Sequence, residues 1–400
     1  VPPPLVRQLA EAASRGVETW RQARANNDFA AFAPSLRHTY ALKRLLAENL
    51  GYTDSPYDAL LDQFEPGMTA AQVGSLFGPL RDQTLALLAR IKAAPQVDVS
   101  VIQGEWDGQK QWDFGIRVLG DMGYDFQAGR QDLSAHPFTT SFTAPYDVRV
   151  TTRVDRNDLT SALFSTIHEG GHALYELGFD PSLARTPLAN SPGLAMHESQ
   201  SRLWENHIVR SRDFWRLHVA ELRNHFPQAL ADVDDDAFYR AVTRVAPGLI
   251  RIEADELTYD FHIMLRVDLE RALIDKSLGV ADLPAAWNAA MARDLGVDVP
   301  DDRQGVLQDA HWANGYVGSF ATYTIGNVMA AQMMETLQRK EPSLSTAIAA
   351  GDYARLANAL RAAIWRHGRS MTRDELLIAE TGRALDAAPY LAYLTERYGA

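Results

Sequence analysis

His168 and His172 stand four residues apart, with Glu169 beside the first, in the stretch STIHEGGHALYEL at 165–177. On a helix, positions i and i+4 share one face, so both imidazoles project together and can hold one metal ion. Glu169 can take a proton from a water that the metal activates. With 11 histidines in 400 residues, an H-E-x-x-H string arises by chance about 0.02 times in such a chain. That ranks a metal helix above a merely solvated polar face. Gly170 and Gly171 sit in the middle of the same helix, where each costs roughly 1 kcal/mol relative to alanine. Without Cβ atoms there, a strand or another neighbouring element can pack close across the metal-bearing turn.

A catalytic zinc takes three protein ligands and keeps a fourth position open. The pattern with a glycine three residues after the second histidine is absent, because Tyr175 occupies that place. A third histidine ligand of the metzincin kind is therefore not expected. Glu198, in AMHESQSRLWENH, opens a second helix and is the better candidate. Its competitors are His197, Glu205 and Glu176. Glu176 lies one turn beyond His172 and would reach past it. Glu205, two turns beyond Glu198, could instead support a ligand or face solvent.

The elements that must position these groups are mostly helical. Leu5, Leu9, Ala13, Val17 and Trp20 recur at steps of three or four. Leu36, Tyr40, Leu42, Leu45, Leu46 and Leu50 do the same before Gly51, a C-cap. Similar stretches cover 70–93, 201–224, 235–276, 284–294, 315–338, 344–366 and 373–397. Asn157 or Asp158 can cap the metal helix and Gly178 can end it. In YDVRVTTRV, Val148, Val150, Thr152 and Val154 alternate with polar residues, the period of a strand. FTTSFTAPYD before it supplies a partner strand, with Ala144-Pro145 at the turn. The stretch 148–154 is read as an exposed edge strand beside the metal helix, able to pair with an extended peptide. The stretches near 181–193 and 296–305 read as loops, so residues 1–400 are expected to form one helical domain, with two lobes as a variant of that plan.

Composition limits the alternatives. Hydrophobic residues make up 46%, which suits a large packed core. The formal charge of −12 is spread along the chain and argues against nucleic acid or an anionic membrane as partner. There is no cysteine, hence no disulfide scaffold and no thiolate ligand. A cytoplasmic location is expected: the opening lacks a secretory pattern, and no apolar run approaches the roughly 18 residues of a membrane span.

Longer motifs carry a resemblance. YDALLDQFEPGMT, HPF at 136–138, DVRVT at 147–151, HEGGH, HESQSR, IRIEADELTYDFHIMLR and GVLQDAHW follow one another in the order found in the M32 metallocarboxypeptidases, the carboxypeptidase Taq group. The chain resembles that family. The resemblance implies a mainly helical, zincin-type peptidase with a deep substrate cleft and a small β-sheet beside the HExxH helix. It implies Zn2+, with Co2+ as an alternative, held by His168, His172 and Glu198, with Glu169 as general base. It also implies peptide substrates with a free C-terminus, broad specificity and a homodimer. The sequence reads as shorter than the usual member, without an N-terminal helical segment. Ser319 and Ala321 replace the family's tyrosine and proline near Tyr323.

A carboxypeptidase must hold a terminal carboxylate, which an arginine fork matches in geometry and charge. Arg251 leads by the family pattern and Arg149 follows. The alternative for Arg251 is an ion pair with Glu253 or Asp255. His311 can donate to the terminal carboxylate or to the oxyanion, or be a core histidine satisfied by Asp309. Tyr323, ahead of Tyr316, can stabilise a tetrahedral intermediate. His136 can touch the substrate backbone or simply pack its turn. The rival activities are an endo-oligopeptidase with the same zinc chemistry and a catalytically silent peptide-binding protein. The intact Glu169 speaks against the second.

Overall fold

The computed structural model describes residues 1–399. Along the chain run α1 (Pro3–Asn26), α2 (Phe29–Leu50), α3 (Pro56–Leu61), α4 (Ala70–Ala93) and α5 (Gly108–Asp121). Strands β1 (Gln131–Leu133), β2 (Thr139–Thr143) and β3 (Asp147–Thr152) follow. Next come α6 (Ser161–Leu177), α7 (Leu194–Arg202), a π-helical stretch Leu203–Val209, α8 (Arg212–His225) and α9 (Asp235–Val242). The remainder holds α10 (Tyr259–Ile274), α11 (Leu283–Asp294), α12 (Ala321–Lys340), α13 (Ser343–Ala349), α14 (Tyr353–Ala363), α15 (Arg373–Thr381) and α16 (Ala388–Tyr398). No helix among the described residues is long and apolar enough to cross a membrane.

These residues form two compact units, 1–91 with 245–324 and 399, and 92–244 with 325–398. In the first, α1 and α2 make a helical hairpin turned at Asn27, and Asp28 caps α2 by accepting the Ala31 N–H at 3.0 Å. α10 is buried on nearly every side, with Phe261, Ile263, Met264 and Leu265 fully covered. It also buries Asp260, Arg266 and Glu270, and a buried charge must be partnered. Asp260 accepts from the Thr324 hydroxyl at 2.7 Å. Arg266 donates to Asp309 at 2.8 Å. Glu270 accepts from the Tyr57 hydroxyl at 2.7 Å, the Trp312 indole at 2.8 Å and the Gly318 N–H at 3.0 Å.

In the second unit, β3 is the central strand of a three-stranded sheet, order β1-β3-β2. β2 pairs with it antiparallel, Thr139 opposite Val150, and the turn between them holds Ala144-Pro145 as expected. β1 pairs with it in parallel, Gln131 opposite Val150. The edge-strand reading of 148–154 is therefore corrected: both sides of β3 are occupied, and β2 is an edge. Three residues of QDL are too short to show an alternating pattern, so β1 left no trace in the sequence. Val148, Val150 and Thr152 are buried on the face that packs on α6.

Several long periodic stretches are interrupted. The 235–276 stretch divides into α9, a 3₁₀ turn at Arg251–Glu253 and α10, with Pro247 and Gly248 in the gap. The 201–224 stretch starts earlier, as α7, and breaks at Ser211, whose hydroxyl accepts from the Phe214 N–H to start α8. The 344–366 stretch divides at Gly351 and the 373–397 stretch after Gly382. The 315–338 helix begins only at Ala321. In each case the apolar period continues across a residue that ends the hydrogen-bond ladder.

Burial pushes the Glu270 carboxyl up from 4.5 to about 7, against three hydrogen bonds and the Arg266 charge. Between those values the folded chain keeps a proton that the unfolded chain releases. Rising pH therefore favours unfolding across that window, by roughly 3 kcal/mol at most. Urea denaturation should show the wild type losing stability from about pH 5 to about pH 7.5 by a few kcal/mol more than Glu270→Gln. Equal slopes would contradict this titration.

Candidate active site

α6 begins at Ser161, where the Asp158 carboxylate accepts from the Ser161 N–H at 3.2 Å and the Thr160 N–H at 2.8 Å. Gly178 ends it, as expected. His168 and His172 share its inner face, their ring centroids 4.9 Å apart. The Nδ1 atoms face separate partners. His168 Nδ1 lies 2.9 Å from Glu205 Oε2, and His172 Nδ1 lies 2.6 Å from His197 Nδ1 and 3.1 Å from the His197 carbonyl oxygen. Both Nε2 atoms then turn toward Glu198 Oε2, at 3.7 Å for His168 and 3.4 Å for His172. The three donor atoms lie within 4.8 Å of one another, a set that a divalent cation can be held by.

Glu198 reaches this place from α7, and its other oxygen, Oε1, accepts from Arg202 Nε at 2.8 Å. Burial would push this carboxyl up, but His168, Arg202 and His172 hold it well below the usual carboxylate range. Glu205 comes from the π-helical stretch. It is braced by Arg202 at 3.3 Å and Arg210 at 3.1 Å, and is likewise held low despite burial. Burial and the neighbouring His197 lower the His172 pKa, while Glu198 and Glu205 raise that of His168 against burial. Of the competitors for the third position, Glu205 sits behind His168. Glu176 accepts from His197 Nε2 at 2.9 Å instead.

Glu169 is 7% exposed, and its Oε2 accepts a 2.6 Å hydrogen bond from the Thr139 hydroxyl of β2. The same hydroxyl lies 2.9 Å from the Glu169 carbonyl oxygen, so β2 and the start of the HEGGH turn are held close together. Sequence reading missed Thr139 and Arg202. Glu205 it offered as a group that supports a ligand, without saying which, and the structure sets it on His168.

The two mid-helix glycines have different reasons. A Cβ at Gly171 would stand 2.7 Å from Ser201 Cα and 2.8 Å from the Gln200 carbonyl oxygen, both backbone of α7. A Cβ at Gly170 would stand 2.4 Å from Leu119 Cδ1, the end of a side chain of α5. The neighbouring element is thus the helix that carries Glu198, not a strand. Gly326 of α12 does the same from the other side, since a Cβ there would stand 2.9 Å from Glu198 Cβ.

The remaining candidates group otherwise. In the first unit Arg251, 5% exposed, donates Nε and Nη2 to Asp309 Oδ1 at 3.1 and 2.8 Å, and Nη1 to the Tyr259 hydroxyl at 3.1 Å. Its ion pair is with Asp309, not with Glu253 or Asp255; Asp255 instead accepts backbone N–H groups of Leu257 and Thr258. His311 Nε2 lies 3.1 Å from the Tyr323 hydroxyl, with Nδ1 3.8 Å from Asp309 Oδ1. Arg251, His311 and Tyr323 are therefore one cluster around Asp309, which Arg266 also contacts. Arg149, on the face of β3 away from α6, closes a two-bond fork with Asp147 at 2.8 Å each and stacks on Phe142. His136 is exposed in the turn between β1 and β2, its carbonyl accepting from Ser134. The partners of Arg149, Asp147 and Phe142, lie outside the histidine–glutamate group.

A sequence profile of the carboxypeptidase Taq (M32) metallopeptidases matches residues 1–398. The chain belongs to that family. It is 40% identical over 410 residues to Thermostable carboxypeptidase 1 of Thermus thermophilus, across 100% of this chain and 80% of that one. It is 36% identical over 400 residues to Thermostable carboxypeptidase 1 of Pyrococcus furiosus, across 99% and 80%. The crystal structure of an M32 carboxypeptidase from Deinococcus radiodurans matches with a TM-score of 0.97 at 43% identity, covering 100% of this chain and 80% of that chain. Metallocarboxypeptidase 1 of Trypanosoma cruzi matches with a TM-score of 0.93 at 34%, covering 100% and 81%. The expected family, mainly helical fold and peptide-hydrolase class are met. M32 metallopeptidases work with a divalent metal, and the donor set on α6 and α7 has the chemistry for one.

Alanine at Gly171 gains roughly 1 kcal/mol in helix propensity but drives a methyl group into the α7 backbone. Urea denaturation of this M32 chain should show Gly171→Ala destabilised by about 1–3 kcal/mol, and Gly170→Ala less so, because the end of Leu119 can rotate away. A stabilised Gly171→Ala would show that the approach of α7 is not tight.

Proposed function

We propose that the protein is a zinc carboxypeptidase of broad specificity that releases single amino acids from peptides with a free C-terminus. The observation that carries this reading is the convergence of His168 Nε2, His172 Nε2 and Glu198 Oε2, with Glu169 adjoining the first ligand. Two imidazoles and one carboxylate make a borderline donor set that suits Zn2+ and also accepts Co2+. When bound, the ion supplies a Lewis acid that polarises the scissile carbonyl and acidifies water.

The chain's own groups do the rest. Glu205 on one side and His197, through its ring Nδ1 and its carbonyl, on the other fix both imidazoles with Nε2 free to ligate. Arg202 occupies one oxygen of Glu198 and leaves the other for the ion. The Thr139 hydroxyl holds Glu169 Oε2, so Oε1 is the oxygen that accepts the proton of the attacking water. Glu169 then delivers that proton to the leaving amine. Tyr323, in contact with His311, donates to the developing oxyanion. Arg251 binds the terminal carboxylate; two arginines share the single carboxylate of Asp309, which leaves that cluster a net positive charge. Arg149, whose fork is paired with Asp147, is the second candidate for the terminal carboxylate. The edge of β2 pairs with the peptide backbone, blind to side chains, which supports the broad tolerance. The assembly carried over from the family resemblance is a homodimer.

Mass spectrometry of a mixed peptide pool should show ladders shortened from the C-terminus, with C-terminal amides cut at least roughly 100-fold more slowly. Internal cleavage with equal rates on acids and amides would mark an endo-oligopeptidase. No cleavage by the metal-loaded protein would mark a binding protein. Glu169→Gln should keep its metal and lose roughly 10²–10⁴-fold in turnover; metal loss or a near-normal rate would contradict the base role. Glu205→Ala should weaken metal affinity by about 10–100-fold in competition with a chelator, while keeping most turnover once saturated with zinc.

A further inference from the structure

A cavity of about 320 Å³ lies within the first unit, between α1, α2 and residues 63–64 and 314–316. None of its lining residues belongs to the histidine–glutamate group or to the Asp309 cluster. Leu9, Ala12, Ala13 and Phe64 give it an apolar wall. Lys43 is the one charged side chain that lines it among the described residues. That lysine is 9% exposed. The end of its side chain lies against Gly315, itself on the cavity wall, where a Cβ would stand 3.2 Å from Lys43 Cε and 3.7 Å from Nζ.

The Lys43 ammonium has no hydrogen-bond or ion-pair partner among the described residues. Burial lowers its pKa, and the charge that opposes this is Glu270. Glu270 is not its direct partner: its oxygens accept from Tyr57, Trp312 and Gly318, and no ion pair joins it to Lys43. Neither neighbouring amide oxygen hydrogen-bonds the ammonium; the Asn314 NH2 donates to the Ala310 carbonyl at 3.1 Å and the Gln63 NH2 to the carbonyls of Ala59 and Leu60 at 3.4 Å. The Thr39 hydroxyl, beside Lys43 on the wall, also has no partner among the described residues. Most of the lysine side chain is covered, so an anion entering the cavity would meet a cation that has no protein partner, in surroundings less polar than water. One cation suits one negative charge, whereas a phosphate dianion would lack a second cation. The volume stands at the small end of ligand sites, about 300–1,000 Å³, and the wall favours an apolar body.

We propose that this cavity binds a small organic monocarboxylate, its carboxylate on the Lys43 ammonium and Thr39 hydroxyl and its short apolar tail against Leu9, Ala13 and Phe64. The site is independent of the peptidase chemistry and would take a short-chain acid whether or not peptides are hydrolysed.

Crystals of the metal-loaded protein soaked in 4-bromobutyrate should give an anomalous bromine peak inside this cavity, with the carboxylate at hydrogen-bond distance from Lys43 Nζ. In solution, calorimetric titration with hexanoate should show binding that Lys43→Met weakens at least tenfold. Ala13→Leu keeps the charge and fills the space, and it should cause a similar loss should Lys43→Met fold poorly. Bromine found only elsewhere, hexanoate affinity unchanged in both variants, or inorganic phosphate bound as tightly as hexanoate in the same cavity would each overturn the proposal.

Discussion

The backbone contact between α6 and α7 is the constraint on which the candidate site rests. A helix can bring two histidines to one face unaided, but a third donor must come from another element at ligand distance. Gly171 removes the one Cβ that would hold the α7 backbone away, since that atom would stand 2.7 Å from Ser201 Cα. Gly326 clears room for the Glu198 side chain from the opposite direction. The helix-propensity cost of a mid-helix glycine is thus set against the position of a whole neighbouring helix.

That proximity gathers buried charge, and the second layer of contacts makes it tolerable. Glu198 and Glu205 face Arg202 and Arg210, so acids and bases alternate across the π-helical stretch. Arg210 also lies over the Phe164 ring of α6, 3.8 Å from its centroid, which ties that stretch back to the metal helix. The first unit shows the same physics in two outcomes. Asp309 is half-buried between two arginines and held well below its ordinary range. Glu270 is buried against neutral donors, and its carboxyl moves up instead. Burial has the same sign in both cases; a directly bonded cation decides the result.

Much of the architecture was legible because helices are local. The bounds of α4 match the periodic stretch 70–93, and α11 starts one residue before its stretch. Boundaries were lost where an apolar period runs on across a break, as between α9 and α10 or α13 and α14. There the core selects the same faces on both sides of a residue that ends the ladder. The sheet was half legible. The alternation in β3 and its partner β2 could be read, but β1 could not, and with it went the knowledge that β3 is central. Strand order is a matter of pairing between distant segments, and a three-residue strand carries no pattern of its own.

By itself the sequence determined the histidine pair, the adjoining glutamate, and the presence of something close against Gly170 and Gly171, because each follows from the geometry of one helix. It also carried the family through motifs spread over the whole chain. Only the tertiary structure decided what presses on Gly171, which of Glu176, Glu198 and Glu205 faces both Nε2 atoms, and which stands behind His168. Those three carboxylates are alike in chemistry. What separates them is the orientation of α7 and the π-helical stretch against α6, set by packing between segments that no local spacing encodes.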